Sequence, residues 1–494
     1  MSLKKQTLWS MLPLLVVTVV NIVSVPLFYR FLGPEKYALW MYVLTFTGIF
    51  GFMDLGLGVA VGRYIGMALG KGDQAAVREY WGTGNVIAIP LLGVMAAVFV
   101  FAGVGFGPLW FNVPPSHAAL LRWSFVAGGI ALFLAYYSQF WLILSQAHLD
   151  FKFLGIIRTA VALLHILAAV PLAWATGNPL LLIGWTCAVS ALQLGILVWH
   201  ARRSYGLGLE LPSAGMRRAR EMASYTGKIF AGLIVNSVLG SLDRLVLGKL
   251  APPAQFTHYT IASNVGGRLQ GLSGAMMGPV FSNTNRSLGA DASGPVAAIY
   301  NETFAFVFPW YLLVAIWGAL WHPILLRLWL GAGLGAAVAP VFTPVLVGCC
   351  ITAVAGISAA QLASLNRVGA GVFFNVVTGL LLVAGVYTGW TWGGLAGVAW
   401  GFLFSRAVLV TQDLFVIRLV KAGGWLAAST WKHTALQGAG GLVFSASLLL
   451  WSADSLWQLI PATLHGAAVA AWILRHSARS VWDKMRAEFP RRAA

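Results

Sequence analysis

Uncharged apolar runs of membrane-spanning length recur along nearly the whole of this chain, and they leave very few folds open. Residues 86–106, VIAIPLLGVMAAVFVFAGVGF, show the type. A helix needs about 20 apolar residues to cross the hydrocarbon core of a bilayer. Inside that core every backbone amide must be paired within a helix or a closed barrel. Transmembrane strands would alternate polar and apolar residues over about 10 positions, and the runs show no such alternation. Only 9% of the 494 residues are charged, against about 25% in soluble domains, so the chain cannot cover itself against water. The expected fold is an all-α polytopic membrane protein of about fourteen transmembrane helices.

The first two spans are expected near 8–32 and 37–66, the seventh and eighth near 227–250 and 256–283, the twelfth near 393–418 and the last two near 433–452 and 456–475. The formal charge of +18 reads as the positive bias of cytoplasmic loops rather than as a nucleic-acid surface. With the N-terminus inside, 23 of the 32 Lys and Arg fall on cytoplasmic segments, which places both termini in the cytoplasm. Lys4 and Lys5 followed by an apolar stretch without a small-residue cleavage site read as a first anchor helix. Cys187, Cys349 and Cys350 form neither a disulfide framework nor a metal spacing, and no cofactor is expected.

The basic inner loop 201–227, with LPSAG, divides the chain into an N-terminal lobe, 1–210, and a C-terminal lobe, 211–420, followed by 421–494 with two extra helices and a basic tail. Weak self-similarity supports two pseudo-symmetric six-helix lobes. Asn21 and Asn236 sit at matching depth 215 residues apart, and GVAVG (58–62) repeats as GAMMG (274–278). Transporters are commonly built from such repeats, with substrate held between them.

Ionisable residues inside the spans are the best pointers to function. They are Asp54, Arg63, Asp243, Arg244, Arg268, Arg406 and Asp413, with His165 at the margin. Arg268 leads. It lies deep in the eighth span on the polar stretch SNVGGRLQG (263–271), with Asn264 one turn away and Gln270 beside it. Two readings stay open for it: an anion site facing a cavity, or a pair with Asp243 that joins two helices. Arg406 and Asp413 share a helix face, which suits a polar helix contact equally well. Lys249 is placed to snorkel, and His165 reads as an interior histidine. The rings of AYYSQFW (135–141) fit either sugar stacking or an interfacial belt. Asp54 and Arg63 would lie on opposite faces, about 13.5 Å apart along a straight helix, so they are not a pair. The outer loops are too short to hold the catalytic groups of a membrane glycosyltransferase, polymerase or ligase, and no carboxylate pair is set for acid–base work. No enzymatic activity is expected.

The stretch 31–73 carries Leu32-Gly33-Pro34, Tyr37, Trp40, Asp54-Leu55-Gly56-Leu57-Gly58, Arg63-Tyr64 and Gly72-Asp73. This resembles the opening helices of Wzx-type O-antigen and capsule flippases, in the multidrug/oligosaccharidyl-lipid/polysaccharide exporter superfamily. The stretch 235–262, with its Asp243-Arg244 and Tyr259 to Ala262, resembles the same family's second half. The resemblance implies two lobes around a central cavity. By alternating access, such a protein carries undecaprenyl-diphosphate-linked oligosaccharide from the cytoplasmic to the periplasmic leaflet of the bacterial inner membrane. It implies cavity arginines on the diphosphate, for which Arg268, Arg63, Arg406 and Arg244 are the candidates here, with Asn21, Asn236, Asn264 and Gln270 as polar support. Coupling to H+ or Na+ is implied as well, with Asp54, Asp243 and Asp413 as candidates for that role or for helix pairing. A glycan polymerase and a chain-length regulator are the expected protein partners. The alternative is a drug or cation exporter of the same superfamily, which would need acidic or aromatic cavity walls.

Overall fold

The computed structural model describes residues 3–51, 57–111, 113–148, 150–210, 237–238, 240–289, 294–365 and 367–422. The described residues are almost entirely helical and contain no strand. Seven helices among them are long and apolar enough to cross a membrane. The thirteenth and fourteenth expected spans, Asn236 and Asp54 lie outside the described residues, as does most of the expected first half of the seventh span.

Twelve helices follow in chain order. They are α1 (Leu3–Ile49), α2 (Leu57–Gly70), α3 (Gln74–Trp110), α4 (Pro115–Ala147), α5 (Phe151–Thr176), α6 (Pro179–Tyr205), α7 (Leu242–Leu250), α8 (Pro253–Gly289), α9 (Gly294–Leu330), α10 (Ala332–Ser364), α11 (Val368–Ser405) and α12 (Ala407–Val420).

Sequence punctuation explains several boundaries. In α1 the Leu-Gly-Pro turn is a kink: Gly33 adopts φ 74°, ψ 168°, a conformation that favours glycine. The first two expected spans are therefore two helical segments that turn back on each other at Gly33, so that the rings of Phe28 and Trp40 lie 4.9 Å apart. The second segment ends at Ile49, followed by a single 3₁₀ turn at 50–51 and, after the undescribed 52–56, by α2. The Gly72-Asp73 pair is a helix entry. Gly72 takes φ 72°, and the Asp73 carboxylate accepts from Ala76 N at 2.9 Å, satisfying one of the free amides of α3. Asp150 caps α5 in the same way through Phe153 N.

The expected twelfth span is also divided. Ser405 Oγ donates to Phe402 O at 2.6 Å, so its side chain competes with the helix ladder. A turn at Arg406 then separates α11 from α12. Helix α11 is itself a hairpin. Gly393 (φ −138°, ψ 15°) and Gly394 (φ 55°, ψ −138°) break it, and its legs meet backbone to backbone at Gly385–Gly401 and Gly389–Gly397.

The described residues fall into two compact units, one within Met1–Val265 and Asn375–Ser405, the other within Gly266–Phe374 and Arg406–Ala494. In the first, α4 packs on α6 and α3, and α1 packs on α5. Its interior holds an aromatic cluster in which Trp81 stacks on Phe140 at 5.1 Å and meets Trp141 edge-on at 4.8 Å. Tyr137, Phe140 and Trp141 are buried, so half of AYYSQFW belongs to the core and neither sheathes an interface nor offers rings to a sugar. Tyr137 Oη donates to buried Asn85 Oδ1 at 2.8 Å. Replacing Tyr137 with phenylalanine strands that acceptor, which is expected to cost about 1–3 kcal/mol. The check is a lower thermal midpoint of the purified protein, followed by tryptophan fluorescence. In the second unit α9 packs along α10, and α10 against α12.

Candidate functional site

Arg268 lies fifteen residues into the 37-residue α8, about 22 Å from its first residue at 1.5 Å per residue. Three contacts fix which way α8 faces there. Gly266 lies against Cys349, Leu269 O accepts from Tyr311 Oη at 2.6 Å, and Ser273 Oγ donates to Ala353 O at 2.7 Å. At about 100° per residue, positions 266, 269 and 273 share one narrow face, the one held by α9 and α10. Arg268 falls on the opposite side with Gly267, Gly271 and Gly274. Among the described residues a methyl group at any of those three glycines would meet nothing within 4 Å. Arg268 itself is exposed, and no hydrogen bond or ion pair is recorded for it among the described residues. The result is a smooth, open strip of helix with one guanidinium rising from it.

Asn264 occupies the same angular sector one turn earlier, and its Nδ2 lies 3.6 Å from Met41 Sδ. Gln270 is half-buried toward the packed side.

The other charged candidates sit in different settings. Arg63 is exposed on α2, seven residues before the helix ends at Gly70. On the neighbouring position Gly62 is pressed against Ile143 of α4, 2.8 Å from an added methyl, so in GVAVG that glycine serves packing while Gly274 of GAMMG stands open. Asp243 is buried, accepts from Tyr259 Oη at 2.8 Å and lies 3.9 Å from Arg244 Nε. Arg244 also donates to Gly240 O at 3.1 Å, just before the first turn of the short helix α7. The partners of Asp243 thus come from its own hairpin. Arg406 occupies the N-cap position of α12, half-buried. Asn21 is half-buried on α1, where its carbonyl accepts from Ser24 Oγ.

Asp413, on α12, is buried and accepts from Ser358 Oγ of α10. Ser358 in turn is 3.0 Å from Tyr300 Oη of α9. Neither Ser358 nor Tyr300 stands out in the sequence, because a lone hydroxyl on an apolar helix carries no spacing signature. The glycine strip did have a signal. Gly267, Gly271 and Gly274 follow i, i+4, i+7 spacing around Arg268, which marks one face of a helix. Among the described residues no cluster of three or more His, Cys, Asp or Glu could hold a metal ion.

Solved structures share this architecture. An inward-facing multidrug resistance MATE family transporter of the MOP superfamily matches with TM-score 0.67 at 14% identity, over 82% of this chain and 94% of that one. An outward-facing multidrug resistance MATE transporter of that superfamily gives 0.61 at 14%, over 84% and 94%. A MOP superfamily transporter from Pyrococcus furiosus gives 0.61 at 13%, over 85% and 96%; its binding pocket is described as having reverse polarity, suggesting a different function. These likenesses establish a MATE-like transporter fold. No curated protein matches the chain. A family model described as polysaccharide biosynthesis protein matches residues 3–285, more than half of the sequence, and the chain belongs to that family.

Proposed function

We propose that this protein is a flippase that moves undecaprenyl-diphosphate-linked oligosaccharide repeat units from the cytoplasmic to the periplasmic leaflet of the bacterial inner membrane, by alternating access, for O-antigen, capsule or exopolysaccharide assembly. The observation that carries the reading is the open strip of α8, with Arg268 between Gly267, Gly271 and Gly274. An arginine deep in a membrane helix is too costly to present to lipid, so it faces a partner or a polar cavity. Arg268 has no recorded partner among the described residues, which favours the cavity. Its planar, permanently charged guanidinium matches a diphosphate, and glycines beside it let a bulky headgroup approach the backbone. Arg63, Arg406 and Arg244 are the further candidates for the anion, with Asn21, Asn236, Asn264 and Gln270 as polar support.

The sign of the charge speaks against a cation exporter, whose cavity would need acidic walls. The MATE-like fold does not oppose an anionic cargo, since one relative with this fold is described as having a pocket of reversed polarity. Both termini are placed in the cytoplasm by the basic loops, and a glycan polymerase and a chain-length regulator are the partners that would take up the flipped product.

The test is genetic and chemical. Deleting the protein from its host should cause single-repeat, lipid-linked oligosaccharide to accumulate at the inner leaflet, and supplying it in trans should clear that pool. A deletion strain with normal lipid-linked glycan and raised sensitivity to cationic drugs would overturn the reading in favour of the exporter.

A further inference from the structure

A buried polar layer crosses the second unit. Asp413 (α12), Ser358 (α10), Tyr300 (α9), Gln361 (α10) and Thr284 (α8) are all buried. Counted along their own helices, Thr284 lies five residues from Gly289, Tyr300 six from Gly294, Ser358 six from Ser364, and Asp413 seven from Val420. At 1.5 Å per residue all four sit about 8–10 Å from the same end of the bundle. Two hydrogen-bond systems occupy the layer. Tyr300, Ser358 and Asp413 form one, in which Ser358 Oγ donates to Asp413 Oδ1 and lies 3.0 Å from Tyr300 Oη. In the other, Gln361 Nε2 donates to Thr284 Oγ1 at 3.0 Å, while Gln361 Oε1 is buried without a partner among the described residues. Gln361 lies one turn after Ser358 on α10. Beside Asp413, Gln412 Nε2 reaches Ala355 O at 3.4 Å, on the same face of α10.

Burying an ionised carboxylate is costly unless an opposite charge accompanies it. Asp243 has Arg244 for that purpose. Asp413 has no cation recorded against it among the described residues, and Tyr300 is the one other titratable group recorded there. On its own helix Arg406 and Arg418 lie seven residues before and five after it. On α9 the next ionisable residue, Glu302, is exposed; on α10 Cys350, two turns from Ser358, is set against Tyr311.

We infer that Asp413, Ser358 and Tyr300 form a reversible proton-binding relay linking α12, α10 and α9. With the carboxylate ionised, Tyr300 donates to Ser358 and Ser358 donates to Asp413. A proton arriving from water as hydronium bonds to the Asp413 carboxyl and leaves water behind. Both hydrogen bonds then reverse, Asp413 donating to Ser358 and Ser358 to Tyr300 Oη. Each of the three groups keeps a hydrogen-bond partner in both charge states, Tyr300 as donor when the carboxylate is ionised and as acceptor when it is protonated, and no other bond is made or broken. Gln361 Oε1 supplies an unclaimed acceptor one turn away, where an incoming water can dock. What the proton drives rests on the transporter reading; the existence of the binding site does not.

The experiment uses the purified full-length chain in lipid nanodiscs. Infrared difference spectra between acidic and alkaline buffer should show one protonated-carboxyl band that Asp413→Asn abolishes, and whose disappearance Ser358→Ala moves to a different pH. The thermal midpoint of wild type should shift across the same buffers and that of Asp413→Asn should not. Identical difference spectra for wild type and Asp413→Asn would overturn the relay. So would a midpoint raised by sodium at constant pH in wild type but not in Asp413→Asn, which would mark a sodium site instead. If Asp413→Asn fails to fold, Ser358→Ala and Tyr300→Phe decide the matter, because both keep the carboxyl: an unmoved band in both overturns the relay. A titrating band in a protein that moves no lipid-linked glycan leaves the relay standing and sinks the flippase, whereas glycan export without a titrating band does the reverse.

Discussion

Leucine in place of Gly389 is expected to abolish recovery of folded, monodisperse protein, and alanine there to lower the thermal midpoint sharply. The legs of the hairpin 375–405 approach backbone to backbone at glycines. A Cβ at Gly389 would run into the carbonyl of Gly397 and come within 2.9 Å of Val398 N, and the reciprocal addition at Gly397 would strike the Gly389 carbonyl. Four residues further out, a Cβ at Gly385 would sit 2.8 Å from Gly401 O. Small residues let membrane helices approach this closely, and the contacts so gained replace the hydrophobic drive that lipid removes. These obstacles are backbone atoms, so no rotamer change relieves the clash. Overpacking a core ordinarily costs about 1–3 kcal/mol, and alanine at Gly389 should fall at the top of that range, with leucine beyond it. Gly195→Ala in α6 is the control. Among the described residues an added methyl there meets nothing within 4 Å, so the midpoint should hold or rise slightly, since a glycine in a helix interior costs about 1 kcal/mol relative to alanine. Equal midpoints for Gly389→Ala and Gly195→Ala would show that the hairpin legs do not meet as described.

The helical class was legible because lipid leaves the backbone one local way to satisfy itself, and that shows as run length. Leu32-Gly33-Pro34 and Gly72-Asp73 were legible as punctuation, although only the backbone angles show that the first reverses the chain between two helical segments and the second starts a helix. Two expected spans were divided because run length alone does not register a break between helices of equal apolarity. The turn at Arg406 depends on Ser405 bonding to Phe402, and hydropathy is blind to it. AYYSQFW stayed ambiguous because a ring suits a core, a belt or a ligand equally by composition, and burial separates them. The relay was invisible because Tyr300 and Ser358 are 58 residues apart and Ser358 and Asp413 are 55 apart. Pairing across helices is decided by rotation about each axis, which single hydroxyls in apolar sequence do not encode. Arg268 was readable at once, since a charge in such a stretch has no bland explanation in propensity. What the sequence left open was its direction, and the tethers at Gly266, Leu269 and Ser273 supply it.

Alanine at Arg268 is expected to cut glycan export by one to two orders of magnitude at matched expression while leaving the thermal midpoint nearly unchanged. A charge-assisted hydrogen bond to phosphate contributes about 1.5–3 kcal/mol, and each 1.4 kcal/mol is about tenfold in binding. Lysine should restore part of the export, because it keeps the charge but loses the planar fork that grips two phosphate oxygens at once. The stability arm separates this from a structural role. An arginine that glued two helices would leave a buried partner charge uncompensated when truncated, and the midpoint would fall. Gly271→Leu probes the strip independently: it leaves the guanidinium in place and fills space that is open in the structure. If the strip receives a bulky headgroup, that variant should fold like wild type and still export poorly. Full export from Arg268→Ala and Gly271→Leu together would remove α8 from the substrate path. A collapse in midpoint for Arg268→Ala alone would turn the residue into a helix clamp and leave the diphosphate to Arg63 and Arg406.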